Sequence, residues 1–454
     1  MKNLLGFAEV MSNIGGVLAA IVILLVMVTV HEFGHYIAGK ALGFKITEFA
    51  VGFGPAILKK RSKKTGEAFS LRVIPLGGFC AFDGEDDGND AYGGYYEKLK
   101  KKQAAEQGAD APETGTESVP LDGVTAEEKA EIDSLFSELE ERPVPKNTSE
   151  ENTQARSLQE ENVVGKSKES VEYPEPKGEK FNDLPPWKRI IVLVAGALMN
   201  YLLALLLTLL MLGIYGAPRY EFYQDETEIT AEQPFTGECA VQVGDVLLEI
   251  DGNRLYLVTD YMAVLDGKKA GDVITVSVLR AGERVDAVWT VPVDVQFANM
   301  SDTGSLFKAL GVPSGYGYGL VGHSVREGFF QTIGSAFEYS FKIGGTVLRS
   351  LGELLTGKLG LDAMGGPATT IGMTAQAATN GFESFLNVAA LIGVNLAVFN
   401  LLPVPALDGC KVIFCIIEWI RKKPVNRKVE AIIHFAGIVL IFGFAIFVDI
   451  FHLF

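Results

Sequence analysis

The chain contains few of the residues that cross-link secreted proteins or bind metals through sulfur. Its 454 residues include four cysteines and five histidines, and no two cysteines form a CxxC pair. A disulfide framework is therefore not expected, because such frameworks have many cysteines at regular spacings. Cys410 lies two residues from Asp408. Cys410 is either a thiolate metal ligand or a small residue in a packed helix, and the second interpretation is favoured.

A basic patch for nucleic acid is also missing. The formal net charge is −16, and residues 81–180 alone hold 26 acidic and 12 basic residues, which gives −14 for that segment. The acidity therefore belongs to one insert and says nothing about partners of the remaining chain. Nucleic-acid binding is not expected, because it requires clustered Lys and Arg.

Long apolar runs, in contrast, are abundant. Hydrophobic residues make up 48% of the chain. Four runs, at residues 14–38, 190–215, 385–404 and 431–451, approach the roughly 20 residues that a helix needs to cross a bilayer. They predict an α-helical polytopic membrane protein with four transmembrane helices. No small-residue cleavage pattern follows the first run, so we expect it to be retained rather than removed as a signal peptide.

The basic residues near these runs predict an orientation. Seven Lys or Arg residues lie between 40 and 64, and five lie between 421 and 428. Because basic loops stay in the cytosol, both loops are expected there, and both termini are expected outside. This topology places the end of the first helix, at residues 31–40, toward the cytosolic side.

The segments between the apolar runs differ in character. Residues 41–84 alternate apolar and polar side chains with glycines, including Gly77 and Gly78, which predicts a membrane-associated β-hairpin region. Residues 85–180 are acidic and predicted to be largely disordered. Within them, a capping-box pattern at Thr125 and Glu128 precedes apolar residues at helical spacing. That amphipathic helix is either a docking element or packs on a loop of the membrane domain, and both possibilities stay open.

An extracytoplasmic α+β domain is predicted at residues 217–295. Turn signals at Asp251-Gly252 and Ala281-Gly282 and the β-branched run "VITVSVL" indicate short strands. The stretch "GDVLLEIDG" resembles a PDZ domain. A following linker, 296–384, contains an amphipathic segment at 325–356, predicted to lie in the membrane interface, with a fifth span as the alternative. The remaining predicted segments are 1–40, 181–216, 385–430 and 431–454, each built on one transmembrane helix.

Two histidines and a glutamate stand at the end of the first apolar run, in "HEFGH" at residues 31–35. On a helix, His31 and His35 share one face, so both rings can bind one ion. Zinc bound by imidazole lowers the pKa of a bound water to about 7, and Glu32 can accept its proton as a general base. Interfacial histidines are the alternative, disfavoured because each ionisable residue costs about 2.5 kcal/mol or more at that depth.

A third zinc ligand must come from elsewhere, because no histidine follows closely. Asp408 is one candidate, since Pro403 and Pro405 break the third apolar helix and bring Asp408 to the cytosolic side. His434, at the cytosolic start of the fourth helix, is the other, and imidazole suits zinc well. Asp408 is favoured, because a carboxylate offsets part of the ionic charge in a low-dielectric site and nothing fixes the direction of His434.

Several motifs together resemble the site-2 protease family, closest to its bacterial regulator-of-sigma-E protease branch. They are "HEFGH", "VGFGP", "PLGGF", "FNDLPPWKRIIVLVAGALMN" and "NLLPVPALDG". The resemblance implies one Zn²⁺ on His31, His35 and Asp408, with Glu32 as base. It also implies that the segment "RVIPLGGFCAF" within the 41–84 region is a membrane-associated β-hairpin that presents an edge strand to the substrate. The chain departs from the common pattern at Ala197 and Cys410, and neither change removes a ligand.

Substrate contacts are expected around this centre. Asn395 and Asn400 are intramembrane amides that can hold an extended backbone, and the alternative for each is helix-to-helix hydrogen bonding. Gly77 and Gly78 allow close backbone approach. Because an unwound segment in lipid must have its backbone groups paired, these four residues are the predicted substrate-binding positions.

The predicted function is an intramembrane zinc metalloprotease in a bacterial inner membrane. The resemblance implies single-span substrates such as anti-sigma factors that were first trimmed outside, or signal-peptide remnants, with the PDZ-like domain binding a ligand or limiting substrate size. Two alternatives remain: a membrane-bound metalloprotease that acts on soluble polypeptides, and a non-catalytic zinc-binding scaffold. Burial of the HEFGH motif argues against the first, and an intact Glu32 against the second.

Overall fold

The computed structural model combines long apolar helices with two antiparallel sheets. It describes residues 2–85, 173–231, 237–257, 260, 264–265, 268–292, 303–357 and 365–451. The amphipathic helix predicted after Thr125 lies outside these residues. The helices are α1 (Lys2–Leu42), α2 (Pro186–Tyr215), α3 (Thr303–Ala309), α4 (Phe329–Leu355), α5 (Pro367–Asn380), α6 (Phe382–Leu401), α7 (Asp408–Arg421) and α8 (Arg427–Phe451). The strands are β1 (Ile46–Arg61), β2 (Ala68–Phe82), β3 (Ala217–Ile229), β4 (Val246–Ile250), β5 (Asn253–Arg254), β6 (Val273–Arg280), β7 (Glu283–Thr290) and β8 (Tyr316–Val325).

Four helices of the described chain are long and apolar enough to cross a membrane, as predicted. The spanning segments are Ile14–Leu42, Pro186–Tyr215, Phe382–Leu401 and Arg427–Ile450. Proline and glycine set several of their ends. Pro186 starts α2, where the missing N–H costs nothing. Pro403 follows Leu402 at the end of α6, because a proline disfavours helical backbone in the residue before it.

Small residues bring the spanning helices close together. A Cβ on Gly34 of α1 would lie 2.4 Å from the Ala195 carbonyl oxygen of α2, and one on Gly393 of α6 would lie 2.9 Å from the Ala204 side chain. Such contacts are typical of membrane helices, whose association depends on close van der Waals packing. The apolar side chains that point outward, such as Leu18 and Leu206, provide the surface that lipid would cover.

Residues 46–82 form a compact sheet of four strand segments. Residues 46–51 of β1 pair with 78–82 on one side and with 68–71 of β2 on the other, and 58–61 pair with 68–71 at the opposite edge. β1 and β2 therefore each bend and contribute two of the four segments. Residues 78–82 are an edge of this sheet, since no further strand pairs with them in the described part of the chain.

A six-stranded sheet follows α2, in the order β7-β6-β4-β3-β8, with β5 paired to β4. Its core includes Leu247, Ile274 and Val278, together with Leu306 and Leu310 from α3 and the residues after it. The sequence predicts that the α+β domain ends at residue 295, but β8 pairs with β3 along nearly its whole length. Residues 303–325 therefore belong to this sheet and its core rather than to a linker. The PDZ-like interpretation stays a prediction.

Helix α4 links this sheet to the spanning helices. Its buried face is composed of small and polar residues with Tyr339 and Ile343, and Ser340 donates a hydrogen bond to Thr208 of α2 at 3.3 Å. Phe330 and Phe341 on the other face are 86% and 77% exposed. Among the described helices α4 is not one of the four spanning candidates, and its interfacial position stays a prediction.

Candidate metal centre

Three side chains from two distant parts of the chain converge beside the last third of α1. The Nε2 atoms of His31 and His35 lie 3.0 and 3.3 Å from Asp408 Oδ2, and 3.1 Å from each other. Within the described residues these three form the one candidate metal-binding group, with all ligand atoms inside 4.8 Å. His434, the alternative third ligand, is not in that group.

The donor set and its spacing suit zinc. Two imidazoles and one carboxylate, with a fourth position open, are a common arrangement in catalytic zinc sites. Ligand atoms about 2.0–2.1 Å from a tetrahedral ion lie about 3.4 Å apart. The observed separations of 3.0, 3.1 and 3.3 Å need to open by only a few tenths of an ångström. His31 Nε2, His35 Nε2 and Asp408 Oδ2 would therefore hold the ion.

Helix α2 orients both histidine rings. His35 Nδ1 lies 2.8 Å from the Val192 carbonyl oxygen, to which it donates, and this fixes the ring hydrogen on Nδ1 and leaves Nε2 for a metal. A Cβ on Gly196 would lie 2.4 Å from His35 Nε2 and 2.7 Å from His31 Cε1. Glycine at position 196 therefore leaves the space that both rings occupy.

Two asparagine amides flank the other nitrogen of His31. The amide nitrogens of Asn200 and Asn400 lie 3.5 and 3.4 Å from His31 Nδ1. When Nε2 binds a metal, Nδ1 carries the hydrogen, so one amide must present its oxygen there, which a 180° rotation achieves. The sequence predicts Asn400 as a position that holds substrate backbone, and it gives no sign that either amide lies beside His31.

Glu32 faces the edge of the β1–β2 sheet. A Cβ on Gly78 would lie 3.3 Å from Glu32 Cγ and 2.8 Å from the Ala50 carbonyl oxygen. The backbone N–H of Cys80, in the same edge segment, hydrogen-bonds to the Glu32 carboxylate. The sheet edge therefore runs directly beside the carboxylate next to His31, and the small residue at position 78 permits that approach.

The other predicted substrate-binding residues differ in their surroundings. Gly77 has φ +117°, and a Cβ there would lie 1.9 Å from the Phe53 ring, so its glycine is required by conformation and by packing. Asn395 Oδ1 is buried and has no hydrogen-bond partner among the described residues. Asn400 contacts His31, as described above. Asn400 and Gly78 thus lie at the centre, one beside His31 and the other beside Glu32.

Asp408 begins α7 after the short loop that contains Pro403 and Pro405. Gly409 follows it in a crowded position, where a Cβ would lie 2.3 Å from the Leu402 carbonyl oxygen. Cys410 is buried and is not in the metal-binding group. Burial raises the pKa of the Cys410 thiol. The structure therefore agrees with Cys410 as a small packed residue.

His434 lies on the far side of that loop, where its Nδ1 accepts a hydrogen bond from the Ala406 N–H at 3.1 Å. Sequence reasoning considered His434 only as a possible ligand. The contact between the loop before Asp408 and the first half of α8 was not predicted. Neither segment carries a local sequence pattern that indicates the other as its neighbour.

Comparison with known proteins agrees with this geometry. The sequence profile of Peptidase family M50 matches residues 19–444. The chain is 28% identical over 427 residues to the regulator of sigma-W protease RasP of Bacillus subtilis, covering 93% of this chain and 94% of that protein. The zinc metalloprotease RasP of Bacillus licheniformis is 27% identical and covers 93% of this chain and 94% of that protein. The zinc metalloprotease RasP of Oceanobacillus iheyensis is 26% identical and covers 94% of this chain and 95% of that protein. The chain therefore belongs to Peptidase family M50, the site-2 proteases, and is a membrane-embedded zinc metalloprotease.

Proposed function

We propose that this chain is an intramembrane endopeptidase that cleaves the transmembrane segment of single-span membrane proteins. The observation that carries the proposal is the position of the metal-binding group. His31 and His35 lie on a spanning helix, and Asp408 reaches them just after another spanning helix ends. A protease whose centre lies among such helices acts on polypeptide that is itself in or at the membrane.

We assign the chemical roles to residues of the centre. Zinc, when bound, supplies a Lewis acid that polarises a carbonyl oxygen and makes water nucleophilic near neutral pH. Glu32 accepts the proton that the attacking water loses, and then donates it to the nitrogen of the leaving amine. Asn400 and Asn200 hold His31 in orientation, and the Cys80 N–H holds the Glu32 carboxylate.

The edge at residues 78–82 is proposed to bind the substrate backbone. A transmembrane helix must unwind before its peptide bond can be attacked, and each unpaired N–H or C=O in lipid costs several kcal/mol. Pairing with a sheet edge satisfies those groups. The edge beside Glu32 would place the bound strand next to the base. Asn395 Oδ1, which has no hydrogen-bond partner among the described residues, would accept a substrate N–H.

For the biological substrate we propose an anti-sigma factor or a signal-peptide remnant in a bacterial inner membrane. One relative is named a regulator of sigma-W protease, which supports this substrate class. In this proposal the six-stranded sheet and both termini lie outside the cytosol and the centre lies toward it. The sheet would bind the trimmed end of the substrate or exclude untrimmed ones.

The test is cleavage by purified protein in lipid vesicles. Wild-type protein, Glu32→Gln and the exposed control Glu283→Gln are each mixed with a single-span peptide in the same vesicles, and products are located by mass spectrometry. We expect cleavage inside the apolar segment for wild type and control. Glu32→Gln should keep its zinc and lose at least about 100-fold in rate, the range for a general base.

Three results would contradict the proposal. Unchanged cleavage by Glu32→Gln would show that Glu32 is not the base. Faster cleavage of an unstructured soluble polypeptide than of the single-span peptide would indicate a membrane-bound protease for soluble substrates. Bound zinc without cleavage of any offered polypeptide would indicate a scaffold.

A further inference from the structure

We infer that His434 is a positioning residue for the zinc centre, because it holds the loop at 403–407 in the conformation that lets Asp408 reach the two histidines. This inference rests on the proposed role of Asp408 as the third zinc ligand. It assigns no metal contact to His434, which acts through the backbone of Ala406.

The loop at 403–407 has few backbone hydrogen-bond donors that could stabilise its conformation. Pro403 and Pro405 have no N–H, so only residues 404, 406 and 407 can donate backbone hydrogen bonds. Val404 donates to the Leu402 carbonyl at 2.8 Å, and Leu407 donates to the Val404 carbonyl at 3.1 Å. The remaining donor, the Ala406 N–H, bonds to an acceptor outside the loop, His434 Nδ1. That bond therefore connects the backbone of this loop to a side chain of α8.

Ala406 also has a backbone conformation that needs external support. Its φ is +81°, in the left-handed region that a residue with a Cβ rarely adopts. Such a conformation persists when surrounding contacts fix it, and it relaxes when they are removed. Ala406 is two residues before Asp408, so a change in its φ would displace the start of α7.

Helix α8 contacts the loop at a second point one turn further on. A Cβ on Gly437 would lie 2.3 Å from Pro405 Cβ and 2.6 Å from the Pro405 carbonyl oxygen. Residues 434 and 437 share a helix face, so one face of α8 touches two adjacent loop residues. The His434 ring also packs edge-on against Phe414 of α7 at 6.0 Å. The ring is thereby held between the loop and the helix that Asp408 begins.

The side chain of Asp408 is short, so its position as a ligand depends on the loop that His434 holds. Asp has one methylene between backbone and carboxylate, so the backbone position largely decides where Oδ2 lies. Asp408 Oδ2 contacts His31 and His35 at 3.0 and 3.3 Å. Functional sites tolerate displacements of about 0.5 Å, so a loop displacement of about 1 Å would disrupt that geometry. Loss of a group that orients a ligand typically weakens metal binding 10- to 100-fold.

The experiment compares His434→Asn with His434→Gln in the full-length protein. Asn carries its amide oxygen on Cγ, where His carries Nδ1, and so keeps the acceptor for Ala406. Gln places its amide one bond further out and loses it. We expect zinc to transfer to a chelator about 10- to 100-fold faster from His434→Gln than from wild type, with His434→Asn close to wild type.

Controls separate positioning from general destabilisation. Phe435→Leu, at the exposed neighbour, should release zinc at the wild-type rate. Because bound zinc itself stabilises the folded state, thermal unfolding is compared in the zinc-free forms. The unfolding temperatures of all variants should then agree within a few degrees. The visible absorption of the cobalt-substituted protein should change in His434→Gln and not in His434→Asn.

Two outcomes would overturn the inference: His434→Gln releasing zinc at the wild-type rate, or His434→Asn releasing it as fast as His434→Gln. Asp408→Ala is measured alongside. If Asp408→Ala keeps zinc, the proposed ligand assignment fails. If it loses zinc while His434→Gln does not, only the positioning role fails.

Discussion

Arg189 and Glu418 form an ion pair in which each side chain is 1% exposed, and this pair joins the first turn of α2 to α7. The other Glu418 oxygen lies 2.9 Å from Arg427 Nη2 and accepts the Val425 N–H at 3.0 Å. One carboxylate thus connects α2, α7 and the start of α8. Since α2 orients the histidines and α7 carries Asp408, the pair fixes the two halves of the centre relative to each other.

Glu418→Gln should therefore destabilise the protein strongly. It leaves Arg189 buried without its counter-charge, a change that typically costs about 3–5 kcal/mol. The matched control is Glu353→Gln, which breaks the exposed α4 pair with Arg349 and should cost less than about 0.5 kcal/mol. The measurement is the free energy of unfolding in detergent. Equal costs for both substitutions would refute the importance of this buried pair.

Gly78→Ala should reduce proteolysis without removing zinc. Its Cβ would press on the Ala50 carbonyl oxygen and on Glu32, so the sheet edge and the carboxylate must move apart, at a cost of about 1–3 kcal/mol for overpacking. Gly213→Ala is the control, because nothing lies within 4 Å of its Cβ position and alanine favours helix. Zinc content and the cleavage rate are measured together. Wild-type cleavage by Gly78→Ala would show that the edge does not need this close approach.

The predicted membrane orientation is tested with single cysteines in a protein that lacks its four native ones. Lys63, Lys428 and Lys269 are exposed, whereas the nearby Arg427 and Lys268 form ion pairs and are unsuitable. An impermeant thiol reagent should label position 269 in intact cells, and positions 63 and 428 only after the membrane is opened. Labelling of position 63 in intact cells would invert the orientation.

Glu48 should make the sheet beside the centre sensitive to acid. Burial raises the pKa of Glu48, but hydrogen bonds from Ser70, Arg72 and Lys59 outweigh that effect and lower it from 4.5 to about 2. Because the folded-state pKa is the lower one, the carboxylate stabilises the fold above pH 4.5, and this contribution disappears as the pH falls to about 2. The difference in free energy of unfolding between wild type and Glu48→Gln should therefore shrink across that range. A difference that stays constant over this pH range would show that the pKa of Glu48 is not lowered in the folded protein.

The sequence by itself determined the features that depend on local pattern. The four spanning helices follow from continuous apolar runs, and the shared face of His31 and His35 follows from helical spacing. The break before Asp408 follows from Pro403 and Pro405. These features were predictable because a helix repeats every 3.6 residues and because proline lacks an N–H, whatever the rest of the chain does.

Only the tertiary structure decided which distant residues meet. The contacts of Asn200 and Asn400 with His31, of Gly78 with Glu32, and of Ala406 with His434 join segments far apart in the chain. The pairing of β8 with β3 likewise extends the second sheet beyond its predicted end at residue 295. None of these partners has a local signal, because each contact depends on how helices and strands pack. A single asparagine or histidine in an apolar helix looks the same whether it binds substrate, supports a ligand or holds a loop.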